Sequence, residues 1–239
     1  MKSIKLSIVA ALLATTSIVS SVSADELEVS ANVALTSNYV WRGMTQTSNS
    51  PAVQGGVDFG YKGAYIGVWG SSVDFGSTSS GTASSEFDIY LGYANEISGL
   101  SYDVGLIQYM YPNDTEAWNF AEAYVSLGYD FGMASVSAMY SLGIDADTKA
   151  SDDFGNAWEL GLSIPLPAEI TLDGTYGSYD DKDTSSTGSN SNNFGEYYLV
   201  SVSKSFGKFD FSLAYTGMDF EAAGSQDQDN VVFTVGTSF

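Results

Sequence analysis

Hydrophobic and polar residues alternate with a period of two along most of this chain. The C-terminal segment shows the pattern best, because five successive positions of one parity are Val231, Phe233, Val235, Thr237 and Phe239. Alternation of this length is typical of a β-strand with one face against an apolar medium. Similar segments are predicted near 27–35, 53–61, 65–73, 86–93, 100–106, 121–129, 136–142, 158–164, 170–176, 197–204 and 209–215. In segment 65–73 both parities are apolar, so the sequence leaves its outward face open.

The connections between these segments alternate in length. Short ones lie near 60–63, 94–99, 130–132, 165–168 and 205–207, and long polar ones near 38–51, 74–85, 111–117, 143–156, 178–193 and 217–229. Five short turns and six long loops are expected of a twelve-stranded membrane barrel with both ends in the periplasm. A soluble β-sandwich, the alternative, has no reason to sort its loops by length. We therefore predict an all-β, transmembrane, antiparallel up-and-down barrel with short periplasmic turns and long extracellular loops.

The N-terminal residues predict an export signal. Residues 1–5 (MKSIK) are positively charged, residues 6–13 are apolar, and a stretch of small residues ends at Ala24. This order is typical of a secretory signal peptide, so we expect residues 1–24 to be removed and residues 25–239 to form one domain. A retained anchor is the alternative, but the apolar run is too short to cross a bilayer as a helix.

The composition narrows the possible chemistry. The chain contains no cysteine and no histidine, which excludes disulfides, thiolate or histidine zinc sites and a Ser-His-Asp triad. We expect no enzyme activity, no cofactor and no metal site. The formal net charge is −21 and becomes more negative once the two lysines of the signal are removed. Such a charge repels nucleic acid and favours cationic partners.

Acidic residues recur on the parity that is predicted to face the barrel interior. They are Glu28, Asp58, Glu86, Asp88, Asp103, Glu122, Glu159, Asp173 and Asp210. Because charged side chains are costly in lipid, this pattern predicts a wet or internally paired lumen. Twelve strands give a backbone radius of about 12 Å, which leaves at best a narrow channel. A ring of carboxylates would select cations, whereas the alternative is a polar filling that packs a closed barrel.

Arg42 is the single arginine of the chain. Continuing the parity of the first strand points it inward, among the carboxylates. Its planar, permanently charged guanidinium would suit a constriction or the binding of a substrate anion. The structural alternative, which we favour, is a counter-ion that neutralises lumen acids such as Asp58 or Glu86.

Two further groups of residues have a predicted place at the membrane surface. Aromatic residues near strand ends predict interfacial girdles: Tyr39, Trp41, Tyr61, Tyr93, Tyr129, Trp158 and Phe239. Acidic residues crowd the long loops: Asp145, Asp147, Asp152, Asp153, Asp180, Asp181, Asp183, Asp219, Glu221, Asp227 and Asp229. Divalent cations that bridge these loops to lipopolysaccharide are the alternative, but we expect solvated loops because no segment fits a calcium-loop motif.

Two resemblances to known families add to this interpretation. The alternating segment that includes Phe233 and Val235 and ends on Phe239 resembles the C-terminal signature that the barrel-assembly machinery reads in outer-membrane proteins. The second is carried by NYVWRGMTQ at 38–46, PAVQGGVD at 51–58 and GVWGS at 67–71. It resembles the N-terminal signature of the TorF family of porin-type proteins from Gram-negative bacteria. Its motif positions here are Asn38, Tyr39, Trp41, Arg42, Gly43, Pro51, Gly55, Gly56 and Trp69. The resemblance implies an outer-membrane porin barrel and assigns no substrate; the glycines would permit tight turns or close backbone approach.

The sequence as a whole predicts a porin-like outer-membrane channel. Small polar or cationic solutes would diffuse through it passively, selected by the lumen residues Arg42, Asp58, Glu86, Asp88, Asp103, Glu122, Glu159, Asp173 and Asp210. A non-conducting barrel that contacts partners through its acidic loops is the alternative. The expected partners are outer-membrane lipid, lipopolysaccharide, the barrel-assembly machinery and small solutes, with no nucleic acid, and the oligomeric state is left open.

Overall fold

The computed structural model describes residues 27–75, 83–112, 119–144, 154–181, 193–221 and 226–239. Twelve long strands form one closed antiparallel barrel, which confirms the predicted fold class. In chain order the barrel strands are β1 (Glu28–Thr36), β4 (Ala52–Tyr61), β5 (Ala64–Ser72), β6 (Ser85–Ile97), β7 (Leu100–Met110), β8 (Phe120–Asp130), β9 (Ser135–Ile144), β10 (Phe154–Leu166), β11 (Ile170–Asp181), β12 (Asn193–Phe206), β13 (Phe209–Phe220) and β14 (Gln228–Ser238). The short strands β2 (Val40–Trp41) and β3 (Met44–Thr45) do not belong to the barrel sheet and are described below. Among the described residues, no helix is long and apolar enough to cross a membrane.

The barrel closes between the first and last strands. β1 pairs with β4 on one side and with β14 on the other, from Asn32 opposite Ser238 to Thr36 opposite Thr234. The backbone amide of Phe239 donates to the carbonyl of Ala31 at 2.9 Å. Closure leaves no open sheet edge, which a barrel in lipid requires.

The two ends of the barrel differ, as the loop lengths predicted. We call them the short-turn end, which also carries residues 27 and 239, and the long-loop end. At the short-turn end Lys62 (φ 49°) and Gly63 (φ 93°) both have positive φ, as a two-residue type I′ hairpin turn requires. A path that steps from each residue to its partner on the next strand goes once round the barrel and returns to β1 about 16 residues from its starting point. This shear corresponds to a strand tilt of about 45° and a backbone radius of about 12 Å.

The outward face is apolar on all sides. Large aliphatic and aromatic side chains of one parity are exposed on every barrel strand, for example Leu160 (53%) and Leu213 (50%). In segment 65–73, Ile66 and Val68 point outward, whereas Tyr65 and Trp69 are buried inside. A continuous exposed apolar band is the surface that a barrel presents to membrane lipid.

Two more strands lie inside the barrel. The connection between β1 and β4 forms a short hairpin of β2 (Val40–Trp41) and β3 (Met44–Thr45), separate from the barrel sheet. We call residues 37–51 the inner hairpin. Tyr39, Val40, Trp41 and Arg42 are all buried, because the hairpin folds from the long-loop end into the lumen. The sequence predicted a long polar loop at this place and missed the hairpin.

Candidate functional site: the lumen and its inner hairpin

The tip of the inner hairpin crosses the lumen to the opposite wall. Arg42 donates from Nη1 to Glu122 Oε1 at 2.7 Å and from Nη2 to Glu122 Oε2 at 2.9 Å. Glu122 lies on β8, far round the barrel from β1 and β4, between which the hairpin emerges. A bidentate pair of this kind fixes orientation as well as distance, so it holds the tip against the far wall.

Aromatic rings enclose the Arg42 side chain. Its guanidinium carbon lies 4.4 Å from the ring centroid of Trp41 and 4.8 Å from that of Tyr179. Burial lowers the pKa of the guanidinium, but the charge and hydrogen bonds of Glu122 raise it by more, so the pKa lies above its usual value. The guanidinium therefore stays charged.

Trp41 packs into an aromatic cluster on the wall. Its ring meets those of Tyr109, Phe120 and Tyr179 edge-on, at centroid distances of 6.1, 6.0 and 5.5 Å. Tyr109 and Phe120 stack on each other at 4.3 Å. Tyr109 and Phe120 are 1% and 2% exposed, so the space around the Trp41 ring is packed rather than filled with water.

Gly43 lets the hairpin tip approach the wall on a third side. It has φ 79°, and a Cβ atom at this position would overlap the carbonyl oxygen of Gly217 on β13. Both the backbone angle and the missing side chain are therefore required here. The tip is wedged between β8, which holds Arg42, and β13.

Asn38 ties the base of the hairpin together and to the wall. Its Nδ2 donates to Asn49 Oδ1 at 2.9 Å and to Asn230 Oδ1 at 3.0 Å. Its Oδ1 accepts from the hydroxyls of Thr45 and Thr47 at 2.7 and 2.9 Å. This side chain uses both ends of its amide, as a buried asparagine must to offset its desolvation.

Tyr39 extends the hairpin contact to a further part of the wall. Its hydroxyl donates to Glu86 Oε1 on β6 at 2.9 Å, and its ring lies 5.5 Å from that of Trp69 on β5. Burial, together with the charges of Glu86 and Asp88, raises the pKa of the Tyr39 hydroxyl well above its usual value. The hydroxyl thus acts as a permanent donor.

Seven of the nine predicted lumen acids separate into two tiers. The upper tier, near the long-loop end and the inner hairpin, consists of Glu86, Asp88, Glu122 and Glu159. The lower tier, near the short-turn end, consists of Asp58, Asp103 and Asp173. Asp210 shares the inward parity but is exposed beside the short turn, where Ser205 donates to it at 2.5 Å. We therefore correct its placement, because a residue one position inside β13 lies at the mouth and not in the lumen.

Tyrosines hold two of the three lower-tier acids, Asp58 and Asp103, in place. The Tyr65 hydroxyl donates to Asp103 Oδ1 at 2.7 Å and also contacts the Tyr124 hydroxyl. The Tyr90 hydroxyl donates to Asp58 Oδ1. A Cβ at Gly67, Gly92 or Gly105 would collide with the ring or hydroxyl of Tyr90, Tyr65 or Tyr124, respectively. The tyrosines therefore lie flat across neighbouring strands and keep their hydroxyls against the wall.

Three expectations about the family-motif residues need correction. Tyr39 and Trp41 are buried in the lumen and do not belong to an interfacial girdle, because the chain leaves β1 at Thr36 and turns inward. For the same reason Arg42 does not continue the parity of the first strand. Its carboxylate partner is Glu122, and not Asp58 or Glu86 as we suggested.

The other predicted residues lie as follows. Pro51 is exposed directly before β4. A Cβ on Gly55 would come within 2.8 Å of Asn32 O, and one on Gly56 within 2.8 Å of Val68 O, so both glycines permit close strand packing. Phe233 and Phe239 are exposed on the outer face, and Val235 is half-buried between β1 and β13. Residues 145–153 and 183 of the acidic loops lie outside the described residues. Across the described ranges no group of three or more acidic side chains is placed to hold a metal ion.

Sequence comparison places this barrel in a family. Residues 21–239 match the family described as "Bacterial protein of unknown function (Gcw_chp)". The chain belongs to the Gcw_chp family. No curated protein matches the chain.

Solved structures resemble this Gcw_chp barrel in fold. A KdgM porin superposes with a TM-score of 0.55 at 11% identity, over 88% of this chain and 98% of that one. A KdgM porin in complex with disordered oligogalacturonate gives 0.54 at 12% identity, over the same shares of the two chains. Outer membrane phospholipase A from Escherichia coli gives 0.54 at 10% identity, over 88% and 92%. At these identities the likeness concerns the fold alone.

Proposed function

We propose that this Gcw_chp protein is an outer-membrane channel through which small polar or cationic solutes diffuse passively. The observation that carries the proposal is the lumen, which holds two tiers of inward carboxylates inside a barrel with an apolar outer face. Carboxylates at the wall of a pore raise the local concentration of cations and repel anions. The porin fold of the structural neighbours supports the same function. We also propose that residues 1–24 are removed during export and that the protein is located in the outer membrane of a Gram-negative bacterium.

Charge decides which solutes the lumen favours. Of the four described basic residues, Lys62, Lys204 and Lys208 lie at the short-turn end, and Arg42 is neutralised by Glu122. The remaining carboxylates of both tiers therefore set the sign of the potential along the described lumen. Oligogalacturonate, which one KdgM structure contains, is a polyanion that this lumen would repel. The lumen acids thus favour cations and neutral polar molecules.

The inner hairpin forms the constriction. A backbone radius of about 12 Å leaves a narrow bore. The inner hairpin fills this bore at the upper tier, where it contacts β5, β6, β8, β11 and β13. Solutes can pass this level when the hairpin moves away from part of the wall. Conduction is therefore small in the resting state and increases when the tip contacts are weakened.

A second candidate is a non-conducting barrel that serves as a surface-interaction or structural protein. The dry packing around Trp41 favours it, because a permanently seated hairpin would seal the lumen. The acidic long loops would then contact the partner. If the protein is such a barrel, deleting these loops would abolish the binding phenotype and leave the permeability of the membrane unchanged. If it is a channel, the same deletion would change the permeability.

Liposome swelling tests the proposal. Purified protein, whose folded state is verified by heat-modifiable gel mobility, is inserted into liposomes and exposed to neutral, cationic and anionic solutes of matched size. We expect neutral and cationic solutes to enter faster than anionic ones. Absence of swelling from well-folded protein, both with the native hairpin and with residues 37–51 replaced by a short glycine-serine linker, would contradict the channel.

The proposed partners follow from the surface and the C-terminal strand. The apolar band contacts membrane lipid, and the long loops face lipopolysaccharide. Phe233, Val235 and Phe239 are proposed as the signal for the barrel-assembly machinery. We propose no enzyme activity, since the chain lacks histidine and cysteine and its likeness to the phospholipase is one of fold.

A further inference from the structure

Two buried carboxylates stand side by side on β6, and the residues paired with them across the sheet are uncharged. Glu86 and Asp88 are 1% and 4% exposed and point inward at successive positions of one parity. Glu86 pairs across the sheet with Ser71, and Asp88 lies between Trp69 and Tyr109. The nearby Glu122 is different, because Arg42 neutralises it with a bidentate contact.

Each of the two carboxylates has a buried oxygen that accepts no hydrogen bond. These atoms are Glu86 Oε2 and Asp88 Oδ1. The other oxygen of Glu86 accepts from Tyr39 of the inner hairpin at 2.9 Å, and Tyr111 also hydrogen-bonds to this carboxylate. A buried carboxylate oxygen without a partner is costly, so a cationic or protic group must compensate it. Within the described ranges no lysine or arginine is free to do so, since the lysines there lie at the short-turn end.

We infer that Glu86 and Asp88 bind a divalent cation of the Ca²⁺ class at the contact between the inner hairpin and the wall. Two carboxylates balance a charge of two, and oxygen is the ligand that such hard cations take. Same-face neighbours on a strand are about 6.7 Å apart, close enough for both carboxylates to reach one ion with metal–oxygen distances of about 2.4 Å.

The site has a defined strength and a structural consequence. Two carboxylates supply fewer than the six to eight oxygens that Ca²⁺ takes, so water and the phenol oxygen of Tyr39 complete the shell. We expect weak binding, with a Kd on the order of 0.1–1 mM as in extracellular calcium modules. Because Tyr39 belongs to the inner hairpin, the ion fastens the hairpin to β6. The inference goes beyond the proposed channel and holds whether or not the barrel conducts.

Calcium-dependent stability tests this site without any measurement of conduction. The folded full-length barrel in detergent is unfolded in urea at 0–10 mM CaCl₂ and constant ionic strength. Compared with the wild type, Glu86→Gln combined with Asp88→Asn removes both charges but keeps the shapes of the side chains. The matched control is Glu96→Gln, which removes an exposed charge from the same strand. The single variant Asp88→Asn provides a milder change if the double variant folds poorly.

The expected result is a calcium dependence that requires the two carboxylates. The folding constant of the wild type and of Glu96→Gln should rise up to about 100-fold when Ca²⁺ reaches 100 times its Kd. In the double variant this increase should be lost except for any part that the acidic loops contribute, and in Asp88→Asn it should shrink. Equal calcium stabilisation in the wild type and the double variant would overturn the inference. So would a calcium-insensitive wild type, which would mean that protons compensate the pair.

Discussion

The ion pair between Arg42 and Glu122 allows a sharp test of the inner hairpin. Arg42→Met keeps the aliphatic stem against Trp41 and removes the charge. Because the two residues are 3% and 2% exposed, Glu122 would remain buried without its counter-ion. Breaking a buried pair in this way costs about 3–5 kcal/mol. The barrel can relieve this cost by releasing the hairpin, which hydrates Glu122.

The size of the expected change in conductance follows from the equilibrium between the seated and the released hairpin. A cost of 3–5 kcal/mol changes that equilibrium by about two to four powers of ten, which is an upper limit because partial hydration relieves some of it. In planar-bilayer recordings Arg42→Met should therefore spend a much larger fraction of time at a high conductance. Lys208→Met, which removes an exposed charge at a short turn, is the matched control and should resemble the wild type.

A double variant separates the ion pair from general damage. Arg42→Met with Glu122→Met replaces both charges by apolar side chains of similar volume, which is often neutral or stabilising for a buried pair. We expect this double variant to return to the low conductance of the wild type. The reasoning would be refuted if Arg42→Met conducted like the wild type, or if the double variant conducted like the single one.

Further variants test other contacts of the site. Gly43→Ala should raise conductance as Arg42→Met does, because the added Cβ would overlap Gly217 O. The control Gly174→Ala should leave conductance unchanged in single-channel recordings, because the nearest atom to its added Cβ is 3.9 Å away. Asp103→Asn keeps the hydrogen bond from Tyr65 but removes a lower-tier charge, so the ratio of cation to anion permeability should fall, as read from the reversal potential. Phe239→Ala should lower the yield of heat-modifiable folded barrel in cells without changing its conductance once folded, and an unchanged yield would contradict its role as an assembly signal.

The barrel could be predicted from the sequence because its determinants are local. Each strand repeats the same alternation, as in β12, where Val200 and Val202 point outward and Leu199 and Ser201 inward. Lipid outside and polar groups inside impose this period on every strand separately. Segment 65–73 was ambiguous because Trp69 is covered by Tyr39, and the resulting apolar patch lies inside the lumen.

The inner hairpin could not be predicted because its determinants are distant in sequence. Arg42 and Glu122 are 80 positions apart, and Gly43 needs Gly217 as its neighbour. Tyr39 and Trp41 have the residue types of an interfacial girdle, and nothing in their local sequence says that they turn inward. The one available signal was the density of aromatic residues, arginine and glycine at 38–43, in a loop that is otherwise polar.

The prediction of the carboxylate partner of Arg42 was wrong for a related reason. Parity states which face of a strand a residue occupies, but it does not give the depth of that residue in the barrel. Asp58 lies three positions from the short-turn end of β4, far below the hairpin tip, and Glu86 already accepts a hydrogen bond from Tyr39. Glu122, near the long-loop end of β8, has both the right depth and the right side of the lumen.

The reversal potential in a KCl gradient tests the central proposal most directly. Wild-type protein and the variant with residues 37–51 replaced by a linker are recorded in the same planar bilayers. We expect discrete conductance steps from both, larger in the variant, with a reversal potential of the sign that marks K⁺ as the more permeant ion. Silence of both proteins in folded form, or a reversal potential of the opposite sign, would contradict a cation-preferring channel constricted by its inner hairpin.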